Sequence, residues 1–182
     1  MKRLFVTASA LVLALCGTLV VAEELQSGLK PGSFPGAFNV LDCTGPAKGE
    51  TVCYRCKYGM EPVVSIFARN IDDDVTNLLK EIDGQIAKNK SMKAYFVLLS
   101  DDLKKSEATL VELAKKNEIK NVPLTVFEGA AGPEEYELSE KADVTVLMWV
   151  NDDVKVNHAY AKGKLDKDAI KAVAGDTKKI LE

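Results

Sequence analysis

The sequence predicts an α/β domain built on a mixed sheet, and three observations predict it. Two apolar runs, residues 62–68 and 94–99, read as strands covered on both faces. Each is followed by aspartates and then by apolar residues at helical spacing, so strands and helices alternate and the crossovers make successive strands parallel. A later pair of strands, residues 144–150 and 154–160, is separated only by Asn151-Asp152-Asp153, which suits an antiparallel hairpin and makes the sheet mixed.

The amino terminus stands apart from that pattern. Lys2 and Arg3 are followed by an uncharged run from Leu4 to Ala22, and Val20-Val21-Ala22 places small residues before Glu23-Glu24. That is the pattern of a secretory signal peptide over residues 1–22, and it implies a secreted or periplasmic protein. The competing reading is a retained anchor, since the run is just long enough to span a bilayer. Thr7, Ser9, Gly17 and Thr18 dilute it. A lipoprotein reading of Cys16 fails on Leu15, which is larger than the small residue expected there. After cleavage no membrane segment remains. The other residues, in a chain of 182 that is 47% hydrophobic, fill one core. Net charge is −3, becoming −5 without the two basic residues of the leader peptide, and the charges are mixed along the chain. No basic patch indicates nucleic acid as a partner.

Residues 23–36 form an extended leader. Pro31-Gly32-Ser33-Phe34-Pro35-Gly36 can neither hold a helix nor donate regularly to a ladder, and Phe34 is expected to tuck in. The domain proper covers residues 37–182. Residues 37–58 read as a β-hairpin, with Phe38, Val40 and Leu41 on one arm and Val52, Tyr54 and Tyr58 on the other. The turn between them contains Gly45, Pro46 and Gly49. After the strand at 62–68, Asp72 to Asp74 cap a helix carrying Val75, Leu78, Leu79, Ile82 and Ile86, which ends at Asn89-Lys90-Ser91. After the strand at 94–99, Ser100-Asp101-Asp102 cap a helix with Leu103, Leu110, Leu113 and Ala114 inward. Residues 122–127 are a third buried strand, and 128–143 a loop with Gly129, Gly132 and Pro133. The final hairpin leads to Gly163, and Asp166 caps one last helix bearing Ile170, Val173, Ile180 and Leu181.

This order is similar to the thioredoxin fold, and to its peroxiredoxin-like branch in particular. Ala37-Phe38-Asn39-Val40-Leu41-Asp42 resembles the opening of that branch, and Asp143-Val144-Thr145-Val146-Leu147 its penultimate strand. The chain also resembles small secreted bacterial thioredoxin-like proteins with a C-x-x-C before a "VVxIFAR" strand. The resemblance implies a three-layer α/β/α arrangement with an N-terminal β-hairpin, and protein thiols or disulfides as partners.

The cysteines depart from the family pattern. Relatives keep a reactive cysteine at the start of the first crossover helix, where this chain has Arg69-Asn70-Ile71-Asp72-Asp73-Asp74. Three carboxylates there disfavour a thiolate. Relatives also place a cis-proline before the penultimate strand, where this chain has Asp143. The sulfurs outside the leader peptide are Cys43, Cys53 and Cys56. Cys53-x-x-Cys56 admits three readings. It can belong to a structural disulfide, 53–56 or 43–53, since a turn centred near Lys48 sets Cys43 opposite Cys53. It can be a redox pair, with Cys53 attacking, Cys56 resolving and Cys43 as a third partner, because the cations of Arg55 and Lys57 favour a thiolate. It can help bind a metal, with Cys43 and either His158 or Asp42 completing the set, although a structural zinc site has two paired motifs and only one is present.

Other residues carry less. His158 lies in an alternating strand and reads as structural or surface-exposed, and no neighbouring serine or cysteine suggests a triad. No Gly-rich phosphate loop, Walker-type run or H-E-x-x-H is present, so neither a cofactor nor a metal is expected. The two function classes left are a thiol–disulfide redox protein and a non-catalytic binding or accessory domain with a structural disulfide.

Overall fold

The computed structural model describes residues 25–182, and the expected leader peptide lies outside the described residues. The strands are β1 (Val40–Asp42), β2 (Thr51–Val52), β3 (Val63–Ala68), β4 (Lys93–Ser100), β5 (Leu124–Glu128), β6 (Val144–Val150) and β7 (Asp153–Tyr160). They form one sheet in the order β2-β1-β5-β4-β3-β6-β7. Pairs β3/β4 and β4/β5 are parallel, and all other pairs are antiparallel. The helices are α1 (Tyr54–Tyr58), α2 (Asp73–Lys88), α3 (Leu103–Asn117), α4 (Lys167–Asp176) and α5 (Lys178–Leu181).

The step from β3 to β4 to β5 always moves the same way across the sheet. Right-handed crossovers therefore place α2 and α3 on one face. Val75, Leu78, Leu79 and Ile82 of α2 pack there with Leu110 of α3, Ile170 and Val173 of α4, and Ile180 of α5. β3 is buried along its whole length, as its apolar run, interrupted by Ser65 alone, predicts. The caps also follow the sequence: Asp72 accepts from Val75 N, Asp102 from Lys105 N, and Asp166 from Ala169 N. The last helix differs, breaking at Thr177 into α4 and α5.

The opposite face has a thinner third layer. Leu29 of the leader, Tyr54 of α1 and Tyr136 of a short 3-10 turn cover Phe67, Tyr95, Leu147 and Trp149. The leader is held along β7: Gly32 N donates to Val154 O at 2.8 Å, and Val154 N to Ser33 O at 3.0 Å. Asn157 Nδ2 donates to the carbonyls of Ser27 and Leu29. At Gly28, with φ of +87°, a Cβ would lie 2.7 Å from Thr145 Cγ2, so the ribbon runs directly on the sheet. Phe34 does not tuck in; it is 65% exposed.

The N-terminal hairpin is shorter than expected. Val40 pairs with Val52 and Leu41 with Thr51, so the turn centres on Pro46 rather than Lys48. Cys43 therefore does not face Cys53. The returning arm stops at Val52, and Cys53 begins a helix instead. Tyr54 and Tyr58 are four residues apart, a spacing that puts both on one helical face and lets both pack inward. Their ring centroids are 5.3 Å apart, and Tyr54 stacks on Tyr95 at 5.5 Å.

Candidate functional site: the Cys53–Cys56 disulfide

Cys53 is the N-cap of α1, and Cys56 lies one turn further on. On a strand these two side chains would point to opposite faces. In a helix positions three apart share a face, and the Cα atoms come to 5.2 Å, within disulfide range. The two sulfurs are bonded to each other. Of the pairings left open by the sequence, the structure forms 53–56. Cys56 N–H donates to Cys53 Sγ at 3.0 Å. Cys53 is half-buried, and Cys56 is exposed.

Beneath α1 the packing is dense. Tyr54 is buried, and its hydroxyl donates to Asp42 Oδ2 at 2.7 Å. Burial, then the bonded carboxylate of Asp42, push the Tyr54 phenol well above its ordinary range. Gly45 passes so close to this pair that a Cβ would lie 2.3 Å from Tyr54 Oη. Arg55, inside the disulfide loop, is buried too. Its Nε donates to Pro35 O at 2.7 Å, and its Nη2 pairs with Asp152 Oδ1 at 2.6 Å. The guanidinium that the sequence offered as a thiolate-stabilising cation is thus neutralised by Asp152. It joins leader, helix and the β6–β7 turn. Lys57 remains exposed, with its Nζ 5.7 Å from the Tyr54 ring centroid.

Cys43 takes no part in this site. Asp42 points to the Tyr54 side of β1, and Cys43 to the helix-covered side, where it is fully buried as a free thiol. Burial first, then the carboxylates of Glu107 and Asp42, push its pKa up to about 12. The metal-ligand set is not assembled either. Cys53 and Cys56 are joined, and among the described residues no three His, Cys, Asp or Glu side chains gather to hold a metal ion. His158 binds Asp176 at 3.1 Å and lies beside Tyr160, which locks β7 to α4.

The start of α2, where the thioredoxin-like resemblance implies a reactive cysteine, is occupied by a polar tie. Asp72 caps α2. Asn70 Nδ2 donates to Asp143 Oδ1 at 2.6 Å, and Arg69 donates to the carbonyls of Ala142, Ser139 and Ala130. α1 precedes β3 and α2 follows it, so the disulfide and this tie belong to different elements on either side of that strand in the chain.

No protein-family model matches the chain, and no curated protein matches it. Solved structures do. A Bacteroides thetaiotaomicron protein, provisionally named a protein disulfide isomerase, is 12% identical with a TM-score of 0.64, over 86% of this chain and 94% of that one. A secreted Mycobacterium tuberculosis disulfide oxidoreductase is 9% identical with a TM-score of 0.55, over 78% and 95%. The yeast mitochondrial 1-Cys peroxiredoxin is 12% identical with a TM-score of 0.56, over 82% and 78%. At these identities the likeness is one of fold.

Proposed function

We propose that this thioredoxin-fold protein is an exported thiol–disulfide exchange protein whose working pair is Cys53 and Cys56. Residues 1–22 serve as its signal peptide, 23–36 as its leader and 37–182 as its thioredoxin-like domain. A partner dithiol gives two electrons and two protons to the Cys53–Cys56 bond and leaves as a disulfide.

One observation carries this reading: a solvent-reachable disulfide that closes only one helical turn. A bridge over so short a loop restrains the unfolded chain little, contributing about 2 kcal/mol in the loop-entropy picture. Stabilisation alone is a weak reason to keep it, whereas exchange requires the sulfurs to be reachable. Two structural neighbours, a disulfide oxidoreductase and a provisionally named disulfide isomerase, agree in kind. An outside compartment suits a disulfide that is oxidised at rest.

A second reading, a non-catalytic domain with a structural bridge, draws on the polar tie at Arg69 to Asp74. The reduction potential of the mature domain separates the two. The exchange reading expects a value between about −270 and −120 mV, the span of known thiol–disulfide catalysts. A value below about −300 mV, with no insulin reduction that disappears in Cys53→Ser, would leave only the structural bridge.

A further inference from the structure

Phe34 and Met60 are 65% and 61% exposed, and are the exposed large hydrophobic side chains among the described residues. Both are anchored to the disulfide helix through Arg55. The guanidinium packs on the Phe34 ring at 4.8 Å, and Nε donates to the carbonyl of Pro35, the next residue. Nη1 donates to Gly59 O, immediately before Met60, and Met60 O accepts from Asn151 N at 3.0 Å. These two apolar side chains therefore project from a braced framework. Exposed apolar groups held in place lose little freedom when a partner covers them.

The two sulfurs on the same helix are unequal. Cys56 is exposed and Cys53 half-buried, so an incoming group reaches Cys56 more readily. The Cys56 N–H aimed at Cys53 Sγ stabilises negative charge there, which makes Cys53 the better leaving thiolate.

We propose that partners enter at Cys56, and that the partner this surface fits is an extended polypeptide segment whose cysteine stands beside apolar residues, seated on Phe34 and Met60. The inference rests on the exchange reading above and reverses the order in which Cys53 attacks. The segment's thiolate attacks Cys56 Sγ, the bond to Cys53 breaks, and Cys53 leaves as a thiolate on the Cys56 N–H. A second thiolate of the segment then attacks its own sulfur in the mixed disulfide and expels Cys56. The segment's thiols become a disulfide, and their two electrons and two protons end on Cys53 and Cys56.

The test uses the oxidised protein and two synthetic peptides, one with Leu-Cys-Phe and one with Ser-Cys-Ser at its centre, with glutathione as a third probe. Mixed disulfides are trapped with N-ethylmaleimide and located by mass spectrometry. We expect the peptide to be found on Cys56 in excess over Cys53. The Leu-Cys-Phe peptide should react about five-fold faster than the Ser-Cys-Ser peptide, and in Phe34→Ser/Met60→Ser that ratio should fall to about one. Peptide trapped mainly on Cys53, or equal rates for both peptides in the parent protein, overturns the inference while exchange itself stands. A disulfide that none of the three probes opens overturns the inference and the exchange reading together.

Discussion

Asp42 is fully buried, and its two oxygens accept from Thr44 N, Gly45 N, Ala47 N and Tyr54 Oη. Removing that carboxylate leaves a phenol and three backbone donors without their acceptor. Asp42→Ala should therefore cost about 3 kcal/mol or more, and Asp42→Asn, which keeps one acceptor oxygen, about half of that, read from urea midpoints. Cys43 supplies a pH signature. Its thiol titrates near 9 when unfolded and near 12 when folded, so the folded state holds a proton that the unfolded state loses. Its contribution to stability is fully present below pH 9 and is lost as pH rises toward about 12. Cys43→Ala should flatten that decline when urea midpoints are compared between pH 8 and 10. In the native protein at pH 8, iodoacetamide should leave Cys43 unmodified and, after mild reduction, label Cys56. The sequence shows three cysteines beyond residue 22. It could not show which residue each would face across the hairpin, because a turn centre displaced by two residues changes every cross-strand partner.

Among the elements, α1 depends most on a single side chain. Arg55 joins the leader, Gly59 and Asp152, and only a planar, forked cation reaches all three. Arg55→Lys should therefore recover little of what Arg55→Ala loses, about 2–4 kcal/mol, since Asp152 and two carbonyls lose their donor. Hydrogen exchange should quicken at Lys57 N and Gly59 N, which bond to Cys53 O and Arg55 O, while the amides of β3 and β4 stay protected. The longer elements were legible in the sequence: aspartate caps and period-3.6 apolar residues mark α2 to α4, and continuous apolar runs mark β3, β4 and β6. The five-residue α1 was not. Val52, Tyr54 and Tyr58 satisfy an alternating and a helical pattern alike, and the disulfide that favours the helix is a tertiary fact. Phe34 was misplaced for a similar reason, since nothing local announces that the buried Arg55 will hold its ring at the surface.

At the scale of the molecule, the mixed sheet followed from the order of elements and the handedness of crossovers, both of which act over the whole chain and tolerate errors at element ends. The unequal cladding of its two faces did not. Four helices cover one side, and the other relies on Leu29, Tyr54, Tyr136 and an extended ribbon. Deleting residues 25–36 should uncover Leu147 and Val154 and strip the outer bonds of β7. That truncation should lose about 3–5 kcal/mol of stability, bind an apolar dye such as ANS, and associate with itself in sedimentation, because an uncovered edge strand invites pairing.

The ribbon's attachment also sets how the molecule comes apart under load. Its bonds to Glu137, Asn157 and Val154 lie in a row, so a pull at the amino end breaks them one after another, as in a zipper. A pull at the carboxyl end must first shear the packed helix ends of α4 and α5 from α2 and the sheet. Any machine that draws the chain through a pore amino end first would meet the softer of the two grips.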